Sequence, residues 1–394
     1  MPLGQLSPQQ HRIHLGKLFG IPVEITSSWI LLSVLAFWSF WVRYSTAFHH
    51  SQYIAALMAL LVTTFLLGSI LLHELGHALV GRFLKLRVSV VVLYFFGGAT
   101  TASLPTNAVQ EFWFTLVGPV INLALAIVFW LLTLLANQVG IAAIAQVSGE
   151  AGWMNLLLGA TNLIPAAPLD GGHVLEAIAW KITKYRPKAI RIAARVGAGF
   201  AGALMALGIL DILTAKGAEF EGLWLALIGF ALWEGATAEM SRAWVEEVLF
   251  DKPASVLLGD QVEPVEEDVS VRWVIQAEFL RYHVDAVPVE RDGQTIGVVL
   301  ADDVVGTSPN ELRQDTTVGE VMRPIDELPK QSVNTPALEV FGLLADNDVV
   351  LLMDENNKMV GSTSKRQVGL VLERLNSLSS TAPGKKSTTF RNWP

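Results

Sequence analysis

Six long apolar segments recur along the first 240 residues of the 394-residue chain, and polar or mixed stretches separate them. A helix that crosses a hydrocarbon core of ~30 Å at ~1.5 Å per residue needs about 20 mostly apolar residues. The pattern therefore predicts membrane helices, of which the fourth is short and ends at Pro165 and Pro168. The predicted bounds are 26–42, 54–84, 112–135, 151–163, 196–213 and 222–236.

A shorter β-type pattern interrupts these helices. Between the second and the third helix, residues 88–95 are β-branched and aromatic, and the stretch is too short to cross a membrane. Gly97 and Gly98 then turn the chain, and residues 100–102 can return. This predicts a small β-hairpin that either dips into the membrane beside the second helix or lies at the membrane surface.

After Trp244 the helical period gives way to short strands rich in Val and Ile, with acidic turns between them. Positions in this region recur at a spacing of 64 residues, so that Ile296-Gly297 corresponds to Val360-Gly361. Each copy reads as strand, helix, strand, turn, strand and helix, over residues 253–306 and 316–375. Residues 376–394 are rich in Ser, Thr and Lys and predict a disordered tail.

Composition narrows the class of protein. Hydrophobic residues make up 52% of the chain, which is too apolar for a soluble enzyme and indicates several membrane spans. The formal net charge is −8, and the excess of acidic residues lies after Trp244. That acidity argues against nucleic-acid binding. The chain has no cysteine, so disulfides, thiolate catalysis and Cys-ligated zinc are excluded.

Basic residues set the predicted orientation. They concentrate in the amino-terminal segment 1–24 and in the stretches after the second, fourth and sixth helices, whereas the alternate loops carry only Arg43 and Lys216. By the positive-inside rule both termini are cytoplasmic, and six spans satisfy this parity. The predicted domains are therefore a cytoplasmic segment 1–24, a six-helix membrane domain 25–243 and a soluble domain formed by the two repeats.

The second apolar segment contains the candidate chemistry, the run His73-Glu74-Leu75-Gly76-His77. On a helix, His73 and His77 lie on one face, where two imidazoles can share one Zn²⁺. Glu74 lies beside them as the general base of the H-E-x-x-H motif. Ionisable side chains are costly inside a membrane helix, so these three indicate a function rather than a chance pattern.

Two long motifs give the chain a resemblance to the site-2 protease family of intramembrane zinc metalloproteases. The first is the H-E-x-x-H run, and the second is N-x-x-P-x-x-P-L-D-G over residues 162–171. Two weaker family patterns match residues 96–98 and 118–122. The resemblance covers residues 10–240. It implies one Zn²⁺ per chain held by His73, His77 and Asp170, and membrane-anchored proteins as substrates.

Other interpretations of the polar residues stay open. Asp170 can instead cap the helix that begins near His173, and His173 is a cap, a neighbour of the ligands or itself a ligand. Asn162 either orients substrate and stabilises an oxyanion or forms an ordinary interhelical hydrogen bond. The hairpin edge at Phe96-Gly97-Gly98 is a candidate for pairing with an unwound substrate segment.

The two repeats resemble a tandem pair of cystathionine-β-synthase-type (CBS) repeats, many of which bind adenosyl nucleotides through a G-x-x-S/T-x-x-D motif. The first copy has Gly297 and Asp303 but Leu300 at the hydroxyl position, and the second has Gly361 and Ser364 but Gln367 at the acidic position. These departures disfavour an adenine nucleotide, for which Asp303 and Ser364 remain the candidate ligands. We expect the repeats to gate substrate access or to mediate homodimerisation.

The sequence thus predicts an α-helical polytopic membrane protein with a small membrane-associated β-hairpin, followed by a soluble α/β tandem CBS-repeat domain. The predicted function is zinc-dependent hydrolysis of a peptide bond in or near the transmembrane segment of a membrane-anchored substrate. The expected location is the bacterial plasma membrane, since no transit peptide is evident, and the alternative is a thylakoid-like membrane. The alternative functions are a metal-ion transporter, whose ligands would follow a route, and a scaffold that had lost Glu74 or a ligand.

Overall fold

The computed structural model describes residues 12–47, 51–95, 97–214, 219–258, 262–279, 284–305, 316–344, 347–356 and 358–380. The chain divides into two compact units, Met1–Ala243 and Trp244–Pro394. The division follows the change in pattern that the sequence shows near Trp244.

Helices form most of the described part of the first unit. Among them, α2, α3 and α6 are long and apolar enough to cross a membrane by length and composition. The count of six spans stays a prediction. The helices are α1 (Ser27–Ala47), α2 (Gln52–Phe83), α3 (Ala108–Val139), α4 (Ala142–Asn162), α5 (Asp170–Thr183), α6 (Arg186–Thr214) and α7 (Glu219–Leu249), the last of which continues past the unit boundary.

Several helices differ in length from the prediction. Helix α4 begins at Ala142 rather than near residue 151, because small and hydroxyl-bearing residues let its first half pack on α3. The hydroxyl groups of Thr133 and Ser148 lie 2.8 Å apart, and a Cβ atom at Gly152 would lie 2.7 Å from the Trp130 ring. A count of apolar residues does not identify such a segment as a membrane helix. Its small residues nevertheless let two helix backbones approach closely, so the segment packs well.

A four-stranded sheet accompanies the helices, in the order β1 (Arg12–Leu18), β2 (Ile21–Thr26), β3 (Val88–Tyr94) and β4 (Gly97–Ala102). The hairpin that the sequence predicts is present as β3 and β4. Within the predicted cytoplasmic segment 1–24, residues from Arg12 onward form β1 and most of β2, which the sequence pattern did not predict; β1 pairs with β2, and β2 runs parallel to β3. The apolar alternation in β2 explains the pairing, because Ile21 and Val23 are fully buried.

Helix α2 occupies the centre of this unit. On one side, Ala78 packs in a buried cluster with Val91 and Leu93 of β3 and with Trp29 of α1. On the opposite side, α2 contacts α3. Around residues 73–78, side chains of α2 therefore face the sheet on one side and α3 on the other, and this division determines the environment of each side chain in the H-E-x-x-H run.

The second unit contains two sheets that reproduce the predicted repeat. The first has the order β5 (Val265–Glu266), β6 (Ala286–Arg291), β7 (Gln294–Leu300), β8 (Arg323–Pro324). The second has the order β11 (Met359–Ser364), β10 (Val349–Met353), β9 (Lys330–Ser332). In both copies the middle strand pairs parallel with the strand before it and antiparallel with the strand after it. Strands β5–β7 and β9–β11 follow the predicted order of strands, and β8 is an additional strand of the first sheet.

The predicted disordered tail starts too early. A helix spans Lys365–Ser380, so residues 376–380 are helical rather than disordered. Its apolar residues recur every three or four positions, and Val368, Leu372 and Leu375 pack against the core of the second copy. The rest of the predicted tail, residues 381–394, lies outside the described residues.

Candidate active site

The two histidines of α2 face α3, and the glutamate between them faces the sheet. A Cβ atom at Gly118 of α3 would lie 2.6 Å from Cε1 of His73, so only glycine permits this approach. On the other side, a Cβ atom at Gly98 of β4 would lie 2.7 Å from Cδ of Glu74. All three side chains of the H-E-x-x-H run are buried.

Asp170 brings a carboxylate to the two imidazoles. Its Oδ2 atom lies 3.0 Å from Nε2 of His73 and 3.5 Å from Nε2 of His77. The two Nε2 atoms are 3.1 Å apart. The buried Oδ2 atom has no hydrogen-bond partner in the part of the chain that the structure describes. Three donor atoms from α2 and α5 therefore converge on one point.

Each histidine also has a hydrogen-bond partner at its other ring nitrogen, Nδ1. That partner determines which ring nitrogen carries the proton. Nδ1 of His77 lies 2.6 Å from the carbonyl oxygen of Phe114, which can only accept, so Nδ1 carries a proton. Nδ1 of His73 lies 2.5 Å from Oδ1 of Asn122, while the Nδ2 atom of that amide donates to Asn155. In both rings Nδ1 is therefore engaged with an oxygen acceptor, and both Nε2 atoms face Asp170, where they are available to bind a cation.

The separations fit a tetrahedral zinc site. Two ligands that are each 2.0–2.2 Å from a tetrahedral metal lie about 3.3–3.6 Å from each other. Of the three measured separations, 3.5 Å falls in that range, and 3.0 and 3.1 Å are a few tenths of an ångström shorter. His73, His77 and Asp170 form a group that could hold a metal ion, and two imidazoles with one carboxylate suit Zn²⁺.

A tight turn places Asp170. Helix α4 ends at Asn162, and Asp170 is the first residue of α5. A Cβ atom at Gly171 would lie 2.5 Å from the backbone of Leu163, so the turn after α4 folds directly onto the start of α5. The N-cap position is Leu169, which offers no side-chain hydrogen bond. The capping role considered for Asp170 is therefore wrong.

A chain of amides extends from the histidine pair to the helices around it. Asn122 Nδ2 donates to Asn155 Oδ1 at 3.1 Å, and Asn155 Nδ2 donates at 2.9 Å both to Ser69 Oγ and to the Ala151 carbonyl. Both asparagines are fully buried. The chain links α2, α3 and α4, and it fixes which end of the Asn122 amide faces His73. Sequence reasoning missed Asn155 and Ser69, whose only signal is a polar residue inside an apolar helix.

His173 belongs to a separate buried cluster. Its Nδ1 atom lies 3.2 Å from Glu176 and 3.7 Å from Glu111. Arg186 donates to both of these glutamates, at 3.2 and 3.3 Å. Glu111, His173 and Glu176 could hold a metal by composition. The guanidinium already binds both carboxylates, so we interpret the cluster as an ion-pair network that joins α3, α5 and α6.

The structure places the remaining candidate site residues of the first unit in different surroundings. Asn162 is half-buried at the end of α4, and its side chain makes no hydrogen bond within the described residues. Gly97 has a positive φ of 138° at the hairpin turn, a conformation that favours glycine. Gly98 lies against Glu74. Phe96 lies outside the described residues.

In the second unit, both candidate nucleotide ligands bind protein side chains of the opposite repeat. Arg323 donates to the two carboxylate oxygens of Asp303 at 2.6 and 2.7 Å, and it also reaches Asp348. The bond to Asp303 raises the pKa of Arg323 above its usual value. Ser364 hydrogen-bonds Asp285, which also pairs with Arg366 at 3.3 Å. The two motif positions thus act as contacts between the repeats.

A helical H-E-x-x-H run with an acidic third donor has the composition of a zinc metallopeptidase centre. Peptidase family M50 matches residues 138–204, and the CBS domain matches residues 257–310. The sll0528 protein of Synechocystis sp., whose name assigns it provisionally to the zinc metalloproteases, is 30% identical over 371 residues, which is 91% of this chain and 94% of that protein. The chain belongs to peptidase family M50.

Two further relatives come from an archaeon. Zinc metalloprotease MJ0392 of Methanocaldococcus jannaschii is 26% identical over 361 residues, which is 91% of this chain and 95% of that protein. The solved structure of a site-2 protease from the same organism covers 58% of this chain and 95% of its own, with a TM-score of 0.41 and 26% identity. The family resemblance and the enzyme class that the sequence predicts, a zinc metalloprotease, are confirmed.

Proposed function

We propose that this protein is an intramembrane protease that hydrolyses a peptide bond in or near the transmembrane segment of a membrane-anchored substrate. His73, His77 and Asp170 hold one Zn²⁺ in this proposal, and Glu74 is the general base. The observation that carries the proposal is the convergence of two Nε2 atoms and one unpartnered Oδ2 atom at separations of 3.0–3.5 Å.

When bound, Zn²⁺ polarises the scissile carbonyl and lowers the pKa of a water molecule to about 7. Glu74 would accept a proton from the attacking water and would later donate it to the leaving amine. Asn122 and the Phe114 carbonyl hold the two imidazoles with their Nε2 lone pairs inward. The burial of Glu74 keeps bulk water from competing for its carboxylate.

Strand β4 is the proposed substrate-binding element. It is the last strand in the order β1-β2-β3-β4, so one side of its backbone is unpaired by the described strands of that sheet. A helical peptide bond must be unwound before attack, and an extended segment can add to such an edge. In this arrangement Gly97 and Gly98 admit the substrate backbone, and Asn162 orients it.

The membrane domain is proposed to have six spans, with both termini in the cytoplasm of a bacterial cell. The basic residues that precede α1 and follow α2 support this orientation. The CBS pair is proposed to gate substrate access or to mediate dimerisation, because its motif residues Asp303 and Ser364 are engaged in contacts between the repeats. Nucleotide sensing is disfavoured for the same reason.

The decisive experiment is cleavage of a model membrane-anchored substrate by the purified, reconstituted protein. We expect cleavage that stops on chelation of zinc and returns when zinc is added. Glu74→Gln should retain the bound metal and the fold but lose cleavage, because it removes the base without removing a ligand. Turnover near the wild-type rate in this variant would refute the mechanism.

A further inference from the structure

The carboxylate of Glu74 is held by a threonine on the neighbouring strand. Thr100 Oγ1 lies 2.9 Å from Oε2 of Glu74 and 3.0 Å from the Glu74 backbone oxygen. Within the described residues, this hydroxyl is the hydrogen-bond donor to that carboxylate. A hydroxyl has one hydrogen, so Thr100 either divides it between the two acceptors or alternates between them.

The geometry of β4 makes this contact specific. Gly98 and Thr100 are two positions apart on the strand, so they occupy the same face. Oε1 of Glu74 lies over Gly98, where a Cβ atom would be 2.9 Å away, and Oε2 lies on Thr100. The carboxylate therefore lies along the strand with each oxygen against a different residue.

The opposite strand fixes the position of this surface. Thr100 pairs with Val91 and Gly98 pairs with Leu93, and both partners are buried in the cluster that includes Ala78 of α2. Threonine is β-branched, and its χ1 has few alternatives in such a strand. The hydroxyl is consequently presented to Glu74 by a backbone that has little freedom to move.

From these contacts we infer that Thr100 is a positioning residue that sets the rotation of the Glu74 carboxylate. The inference rests on the proposed role of Glu74 as the general base. Strand β4 is proposed both to receive the substrate and to orient the carboxylate of Glu74. One strand would thus align the substrate with the base. A displacement of about 1 Å at a reacting group can reduce the rate about 100-fold.

The test compares variants of the reconstituted full-length protein on the model substrate. Thr100→Val keeps the shape but removes the hydroxyl, and we expect kcat to fall at least tenfold with KM and zinc content within twofold of wild type. Thr100→Ser should restore most of kcat. Thr64→Val is the matched control, because its exposed hydroxyl donates to the Leu60 carbonyl of its own helix, and it should leave kcat unchanged.

Three results would overturn the inference. They are a wild-type kcat in Thr100→Val, a loss of zinc in that variant, and a failure of Thr100→Ser to recover turnover. If the Glu74→Gln variant cleaves at the wild-type rate, the proposed mechanism fails. If Thr100→Val cleaves at the wild-type rate and Glu74→Gln does not cleave, only the inference about Thr100 fails.

Discussion

Oδ1 of Asn122 lies 2.5 Å from Nδ1 of His73, and it is the amide's other end that donates to Asn155. This relationship matters because an amide can present either a donor or an acceptor to a ring nitrogen. Asn155 settles the choice by accepting from Nδ2, so the oxygen faces the imidazole. The nitrogen of His73 that faces Asp170 is thereby selected by a residue on another helix.

Asn122→Leu should weaken zinc binding about 10- to 100-fold, because loss of the acceptor frees the tautomer and the ring orientation of His73. Competition with a chromogenic chelator measures the change. Asn162→Leu is the control, since no hydrogen bond links Asn162 to a histidine among the described residues. Equal zinc affinities for the wild type and Asn122→Leu would show that this amide has no influence on the metal.

Asp170→Asn should lose both zinc and cleavage, because the amide keeps the size of the side chain but removes the anionic donor. Metal content after gel filtration, determined by mass spectrometry, is the measurement. His173→Ala should keep zinc, since His173 bonds the two glutamates of the buried cluster. Full occupancy in Asp170→Asn, with loss in His173→Ala, would transfer the third ligand role to the histidine.

Arg186→Met should destabilise the first unit by about 3–5 kcal/mol, because it removes the guanidinium that binds the buried carboxylates of Glu111 and Glu176 and leaves His173 as their neighbour. Thermal unfolding in detergent, followed by helix content, reports the loss. Lys181→Met on the exposed side of α5 is the control and should have almost no effect. An unchanged midpoint for Arg186→Met would mean that the network is dispensable.

Adenine nucleotides should bind weakly or not at all. Asp303 is already bonded by Arg323 through both oxygens, and Leu300 supplies no hydroxyl. Calorimetric titration of the full-length protein should show no saturation up to about 1 mM ATP, a concentration at which binding amounts to about −4 kcal/mol. A micromolar dissociation constant would show that the nucleotide displaces the ion pair.

Deletion of residues 253–394 should leave zinc binding and basal cleavage of a minimal substrate intact while changing substrate selectivity. The reason is that the candidate metal ligands and Glu74 all lie in the first unit. The cut exposes Val245 and Leu249, which pack in the core of the second copy, so a companion variant with serine at both positions controls for aggregation. A truncated protein that binds zinc but does not cleave the substrate would show that the repeats are required for catalysis.

The local part of the active site could be predicted from sequence. Helical periodicity alone places His73 and His77 on one face, and the intervening Glu74 follows from their spacing. Asp170 lies far along the chain, and only the motif around it indicated that it would return to the histidines. The motif is informative because the glycines at 171 and 172 allow the sharp turn that delivers the carboxylate.

Partners in distant elements could not be predicted in the same way. Thr100, Asn155 and Arg186 are ordinary polar residues in the sequence, and each obtains its role from a side chain on another helix or strand. The alternation in β2 was visible, but its parallel pairing with β3 spans two intervening helices. Hydrophobic patterns report which face is buried and carry no information about which element covers it.

The divided motif positions of the repeats determine what a ligand at this place would have to displace. The first copy has the acid, Asp303, the second has the hydroxyl, Ser364, and each bonds a residue of the opposite copy. A ligand that competed for either position would break a bond between the copies. Binding at this place would therefore weaken the association of the two copies rather than strengthen it.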